Sequence, residues 1–126
     1  TIYNNDDLFA PIASGSAVSD GMVIIPCSMN TLGSIANGMG HNLLTRAAAV
    51  TLKENRRLIT VIRETPLSII SLDNMCRLAK AGACIMPASP CFYNHPTEIS
   101  QLVDSIVARV FDQFHIDNQI MRRWGD

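Results

Sequence analysis

Three short apolar runs, Met22-Val23-Ile24-Ile25, Leu58-Ile59-Thr60-Val61-Ile62 and Ala83-Cys84-Ile85-Met86, each end in a proline-marked turn, and the residues between them repeat at helical spacing. Few folds accommodate that alternation. Strands separated by helices form parallel βαβ units, and right-handed crossovers bring all strand ends to one edge of the sheet. The middle run is continuous enough in apolar character to be covered on both faces. The chain is therefore expected to be an α/β protein built on a parallel sheet, and its 126 residues fit a single domain, 1–126.

The helices are marked by their caps and periods. Residues 1–20 are small and polar and read as a lead-in with a short helix, while Leu32-Gly33-Ser34-Ile35-Ala36 is weakly helical, with Asn30 able to cap. Asn42 can cap a helix from Leu43 to Glu54. In it Arg46 and Lys53 fall within about 20° of each other and about 10 Å along the axis, as an elongated polyanion would require. The competing reading is that Lys53, Arg56 and Arg57 only answer the negative end of that helix. Thr65 before Pro66 predicts a further helix start, with Ile69, Leu72, Met75, Cys76 and Ala79 as its inward stripe and Gly82 as its stop. The last helix, 97–114, carries Ile99, Leu102, Val103, Ile106, Val107, Val110, Phe111 and Phe114 in period, with Arg109 at the stripe's edge, where it can snorkel or turn to a ligand.

The strand ends are where chemistry is expected. Pro26-Cys27-Ser28-Met29-Asn30-Thr31 sets two hydroxyls and backbone N–H groups at the carboxyl end of the first strand, which suits phosphate or a polar ring edge as well as an ordinary strand-to-helix turn. Arg63 and Glu64 follow the second strand, and the Pro90-to-Tyr93 loop follows the third. Loops at this edge of a parallel sheet carry binding residues.

Charge and cysteine content narrow the partners. Ten basic against eleven acidic side chains create no field that would gather nucleic acid or an anionic membrane, so a bound anion must be held by local groups. No apolar run approaches the ~20 residues of a membrane span, and the start lacks a signal-peptide pattern, so a cytoplasmic location is expected. Cys27, Cys76, Cys84 and Cys91 have neither zinc-knuckle nor redox spacing and are expected to be buried free thiols, with no metal.

Six blocks together carry a resemblance: Pro26 to Leu32, Leu43 to Ala48, Leu52-Lys53-Glu54, Arg63-Glu64-Thr65-Pro66-Leu67-Ser68, Phe92-Tyr93-Asn94-His95-Pro96 and Val107 to Phe114. In order and spacing, from about Ile12 to Trp124, they resemble the UbiX/Pad-type flavin prenyltransferases. The resemblance implies a flavodoxin-like, Rossmann-like three-layer sheet and a homo-oligomer with sites near subunit interfaces. It implies FMN as bound flavin, dimethylallyl phosphate as prenyl donor, and prenylated FMN as a product handed to a UbiD-type decarboxylase in ubiquinone synthesis or aromatic acid decarboxylation. Residue by residue, it assigns Ser28, Met29, Asn30, Thr31 and Arg63 to the flavin and Lys53, Tyr93 and Arg109 to the prenyl phosphate. Glu64, Arg46, Lys53 and Trp124 become catalytic groups.

Those residue types suit the chemistry. Breaking an allylic carbon–oxygen bond leaves a charged phosphate, which Lys53 and Arg109 would stabilise, and an allylic cation, which an aromatic face such as Trp124 attracts. Glu64 is a candidate proton carrier, though an ion pair with Arg63 is an equally simple role; Tyr93 can donate to phosphate or simply pack. Family members begin with a strand and a glycine-rich flavin-gripping turn that Ala13-Ser14-Gly15 does not reproduce, so the fold is expected to be incomplete at its amino end and activity doubtful. Ala49 stands where Asp is frequent and Cys91 where Ala or Gly is usual. A non-catalytic flavin-binding subunit and a decarboxylase in its own right are the alternative readings.

Overall fold

The computed structural model describes residues 1–125. The chain divides into two compact units, one of residues Thr1–Pro87 and a second beginning at Ala88. The first unit contains a 3-10 turn (Pro11–Ala13), β1 (Gly21–Cys27), α1 (Met29–Ala36), α2 (Leu43–Lys53), β2 (Arg57–Ile62), α3 (Ile69–Lys80) and β3 (Cys84–Pro87). The second contains α4 (Ile99–Gln113). None of the described helices is long and apolar enough to cross a membrane.

The sheet is parallel, in the order β1-β2-β3. Being central, β2 is covered on both faces, as its unbroken apolar run predicts: Leu58, Ile59 and Thr60 are wholly buried. The Thr60 hydroxyl donates to the Cys84 carbonyl oxygen at 3.4 Å, which satisfies a polar atom in the core. Around β2 pack Ile24, Cys27, Leu32, Ile35, Ala48, Met75 and Leu78.

β1 carries an irregularity that sets the position of its end. Ile24 lies opposite Thr60 and Cys27 opposite Ile62, so three steps along β1 match two along β2. The extra residue falls at Ile25-Pro26, where a proline without an N–H is tolerated because β1 is an edge strand. Ile25 is turned outward, half exposed, and Cys27 returns to the core.

Helix limits follow side-chain caps more closely than the sequence suggests. Asn42 caps α2 as expected, its Oδ1 accepting from the Thr45 N–H at 2.9 Å while its own N–H donates to Thr45 Oγ1 at 3.3 Å. The cap of α1 is Ser28 rather than Asn30, which lies within the first turn. The cap of α3 is Ser68, whose Oγ accepts from the Ser71 N–H at 3.1 Å, so the helix starts after Thr65-Pro66 and not at it.

The expected stripe of α3 is also corrected. Met75 and Leu78 are its buried residues, whereas Ile69, Leu72, Cys76 and Ala79 are exposed. Packing on α1 selects the face: Asn37 Nδ2 donates to Asn74 Oδ1 at 3.1 Å, and a Cβ on Gly33 would lie 3.2 Å from the Asn74 amide. The outer face is left strongly apolar, with Ile69 and Ile70 each 70% exposed. Of the four free cysteines only Cys27 is buried; Cys84 and Cys91 are half-buried and Cys76 exposed, because it shares the outer face of α3.

Because Leu58 fills the middle of the core, Leu58→Ala is expected to lower unfolding free energy by about 2–5 kcal/mol, read from urea denaturation followed by far-ultraviolet circular dichroism.

Candidate functional site

The register of the sheet brings two of the nominated residues side by side. Cys27 is paired with Ile62, so Ser28 and Arg63 are the next residues on adjacent strands, both exposed. Ser28 Oγ accepts from the Thr31 N–H at 3.1 Å and donates to Thr31 Oγ1 at 3.0 Å. The first turn of α1, with Met29 and Asn30, leaves backbone N–H groups without intrahelical partners at this rim. The Arg63 side chain makes no hydrogen bond or ion pair among the described residues. Glu64 therefore does not pair with it; Glu64 Oε1 accepts from the Thr65 N–H at 3.2 Å. A hydroxyl pair, helix-start N–H groups and an uncommitted guanidinium form a donor-rich edge suited to an anion or to the carbonyls of a heterocycle.

Beneath the rim the Cys27 thiol is pushed up to about 11 by burial, against a smaller lowering by the Leu32 backbone. It stays protonated at neutral pH and is not a nucleophile.

The cations of α2 are already engaged. Arg46 Nε donates to the Ala13 carbonyl oxygen at 3.2 Å, and Lys53 Nζ sits 2.8 Å from Glu54 Oε1, holding that carboxyl below its ordinary range. Arg56 lends its charge to Glu54, the cap at the end of α2, but its side-chain hydrogen bonds go elsewhere. It donates to the carbonyls of Ala17 (2.6 Å) and Gly15 (2.8 Å), fastening the lead-in segment to the sheet unit.

In the second unit Tyr93, Arg109 and Trp124 belong to one network. The Tyr93 and Trp124 rings meet edge to face at 5.1 Å and 79°. Arg109 Nη1 is 2.9 Å from Asp112 Oδ2, and the same carboxylate receives Arg123 Nη1 at 2.6 Å and Nη2 at 2.8 Å. Asp112 is held down to about 2, chiefly by the Arg123 hydrogen bonds, with burial opposing and Asn118 and the two arginine charges assisting. Sequence inspection missed Asp112 and Arg123. The spacing of Arg109 and Asp112 on a helix is a usable signal, but Arg123 lies beyond the helix, where no period points to it. Cys91 donates its N–H to Ser105 Oγ at 3.1 Å and lines a cavity of about 170 Å³ with Asn94, Gln101, Asp104 and Arg122. Among the described residues no cluster of His, Cys, Asp and Glu could hold a metal.

Comparison with known proteins gives this geometry a family. A flavoprotein family model matches residues 2–111. The flavin prenyltransferase LpdB of Lactiplantibacillus plantarum is 54% identical over 98% of this chain and 67% of its own length. The chain belongs to the UbiX-type flavin prenyltransferases. The family's UbiX of Methanocaldococcus jannaschii is 47% identical, again over 98% of this chain and 67% of its own length. Among solved structures of the family, AnUbiX in complex with FMN and dimethylallyl pyrophosphate superposes with a TM-score of 0.96 at 46% identity, covering 98% of this chain and 66% of that one. A dodecameric FMN-dependent UbiX-like decarboxylase from Escherichia coli O157:H7 gives 0.95 at 48% identity, over 98% of this chain and 67% of that one. The flavodoxin-like parallel α/β fold expected from the resemblance is thus established, and the chain spans about two thirds of the length of these relatives.

The depressed Asp112 carboxyl fixes a sign. Its contribution to stability is fully present above the ordinary carboxylate value of about 4 and is lost as pH falls through about 2. The Tyr93–Trp124 contact, followed by near-ultraviolet circular dichroism, is expected to hold from neutral pH to about 4 and to be lost between about 4 and about 2.

Proposed function

We propose that this chain serves a flavin prenyltransferase, taking the dimethylallyl group from dimethylallyl phosphate and joining it to reduced FMN. The observation that carries the reading is the pair of neighbouring strand ends, Ser28 and Arg63, with Arg63 uncommitted among the described residues, in a chain about half identical to proteins named for that activity. In this reading Ser28, Met29, Asn30, Thr31 and Arg63 hold the flavin, a role that suits their hydroxyls, helix-start N–H groups and free guanidinium. Bound there, the reduced flavin supplies the electron-rich ring that accepts the allyl group.

The chain's own work is electrostatic. As the allylic carbon–oxygen bond breaks, its electron pair stays with the phosphate, and Lys53, Arg109 and the Tyr93 hydroxyl stabilise the charge that collects there. The Trp124 face attracts the allylic cation, Arg46 adds positive charge, and Glu64 carries a proton. Lys53 pairs with an exposed carboxylate that it can leave at little cost, and Arg109 gives Asp112 one N–H and keeps the others for a phosphate dianion.

The same reading makes the protein a cytoplasmic homo-oligomer with sites near subunit interfaces, delivering prenylated FMN to a UbiD-type decarboxylase. The apolar outer face of α3 and the dodecameric relative support the assembly. The carboxylates beside Lys53 and Arg109 favour a second reading, a subunit that binds flavin and passes no prenyl group.

One experiment separates them. Purified chain is mixed with reduced FMN and dimethylallyl phosphate, and the flavin is weighed by mass spectrometry. A prenylated flavin is expected, with Lys53→Ala and Arg109→Ala slowing turnover about 100-fold while FMN stays bound, and Arg63→Ala losing FMN. Bound but unmodified flavin would establish the second reading, and absence of flavin binding would overturn both.

A further inference from the structure

Three consecutive residues of the tail beyond α4 are each tied to a different partner. The Arg122 carbonyl oxygen accepts from Asn94 Nδ2 at 2.9 Å, Arg123 forks onto Asp112, and the Trp124 ring meets Tyr93. Despite these ties the Trp124 side chain stays open to solvent, 81% exposed, so the network orients the indole without burying it. A large apolar ring held in water gains nothing for the fold from its exposed face.

Asp112 is the centre of this network. Its Oδ1 accepts from Arg123 Nη2 at 2.8 Å and Asn118 Nδ2 at 3.1 Å, and its Oδ2 from Arg123 Nη1 at 2.6 Å and Arg109 Nη1 at 2.9 Å. Both oxygens are thereby saturated in the directions a carboxylate offers. Arg123 spends a two-pronged fork on the carboxylate, whereas Arg109 spends one N–H and is half exposed.

We propose that Asp112 is a positioning residue for the phosphate of the prenyl donor, orienting the Arg109 guanidinium and, through Arg123, holding Trp124 against Tyr93. The inference rests on the assignment of Tyr93 and Arg109 to the prenyl phosphate. Without the carboxylate the two guanidinium groups repel each other, and Arg109 must be ordered afresh each time a phosphate binds. With it, one N–H anchors the group and the others stay available to phosphate oxygens.

The test is a double-mutant cycle on donor affinity, measured by titration calorimetry with dimethylallyl phosphate, alongside the emission of the chain's single tryptophan. D112N and R109Q are each expected to weaken binding about tenfold, and the double variant to bind no more weakly than R109Q alone, because the first acts through the second. D112N is also expected to lower the emission anisotropy of Trp124, whose exposed indole is then no longer held against Tyr93. R123K keeps the charge, loses the fork and leaves Arg109 beside Asp112; it is expected to lower the anisotropy with a smaller loss of affinity, and it serves if D112N does not fold. Fully additive losses, or D112N binding the donor like the parent chain, would overturn the proposal while leaving the prenyltransferase reading intact. A parent chain that binds no donor would overturn both, and a fall in Trp124 anisotropy in D112N would then mark the carboxylate as a fastener of the tail only.

Discussion

Everything in the first unit depends on the pairing of β2 between its two parallel neighbours. A strand of six residues, buried from Leu58 onward, satisfies its backbone on both sides and presents apolar side chains to both faces. Because the pairing is parallel, the strands finish at the same edge, and the register decides which residues meet there. The additional residue at Ile25-Pro26 is what sets Ser28 level with Arg63. A slip by one position would bury the hydroxyl and expose the thiol of Cys27.

The electrostatics of the chain are a matter of commitment rather than of net charge. Arg46, Arg56, Lys53, Arg109 and Arg123 are all engaged, some with carbonyl oxygens and some with carboxylates, and Arg63 is set apart at the strand end. Exposed pairs such as Lys53–Glu54 exchange partners at little cost, whereas the fork of Arg123 on Asp112 is geometrically specific. The two kinds of contact suit different tasks: the first keeps a cation in reserve, the second keeps a segment in place.

Much of this is legible in the sequence, and the remainder is hidden for definite reasons. The strands stand out because β-branched runs closed by proline have few other uses, and α2 because Asn42 and Thr45 form a reciprocal cap. The inward face of α3 does not stand out, since Ile69, Leu72, Cys76 and Ala79 are as apolar as Met75 and Leu78; only the neighbouring helix α1 selects between the two faces. The Ser28–Arg63 pairing follows from strand order, but the irregularity in β1 that levels them does not announce itself beyond a proline. The engagements of Arg46 with Ala13 and of Arg123 with Asp112 join residues distant in sequence, and periodicity within one element cannot see them.

The lead-in segment is held by guanidinium groups that grip main-chain oxygens, Arg46 at Ala13 and Arg56 at Gly15 and Ala17. A grip of that kind is blind to side chains, so evolution is at liberty to rewrite Ser14, Ser16 and Ala17 without disturbing the attachment. Gly15 differs only in that a methyl group there would meet the Glu54 carboxylate beside Lys53, the far end of an exposed side chain that can swing aside. Filling that position would part the Glu54 carboxylate from Lys53, so the lead-in segment has a say in whether a residue nominated for chemistry is paired.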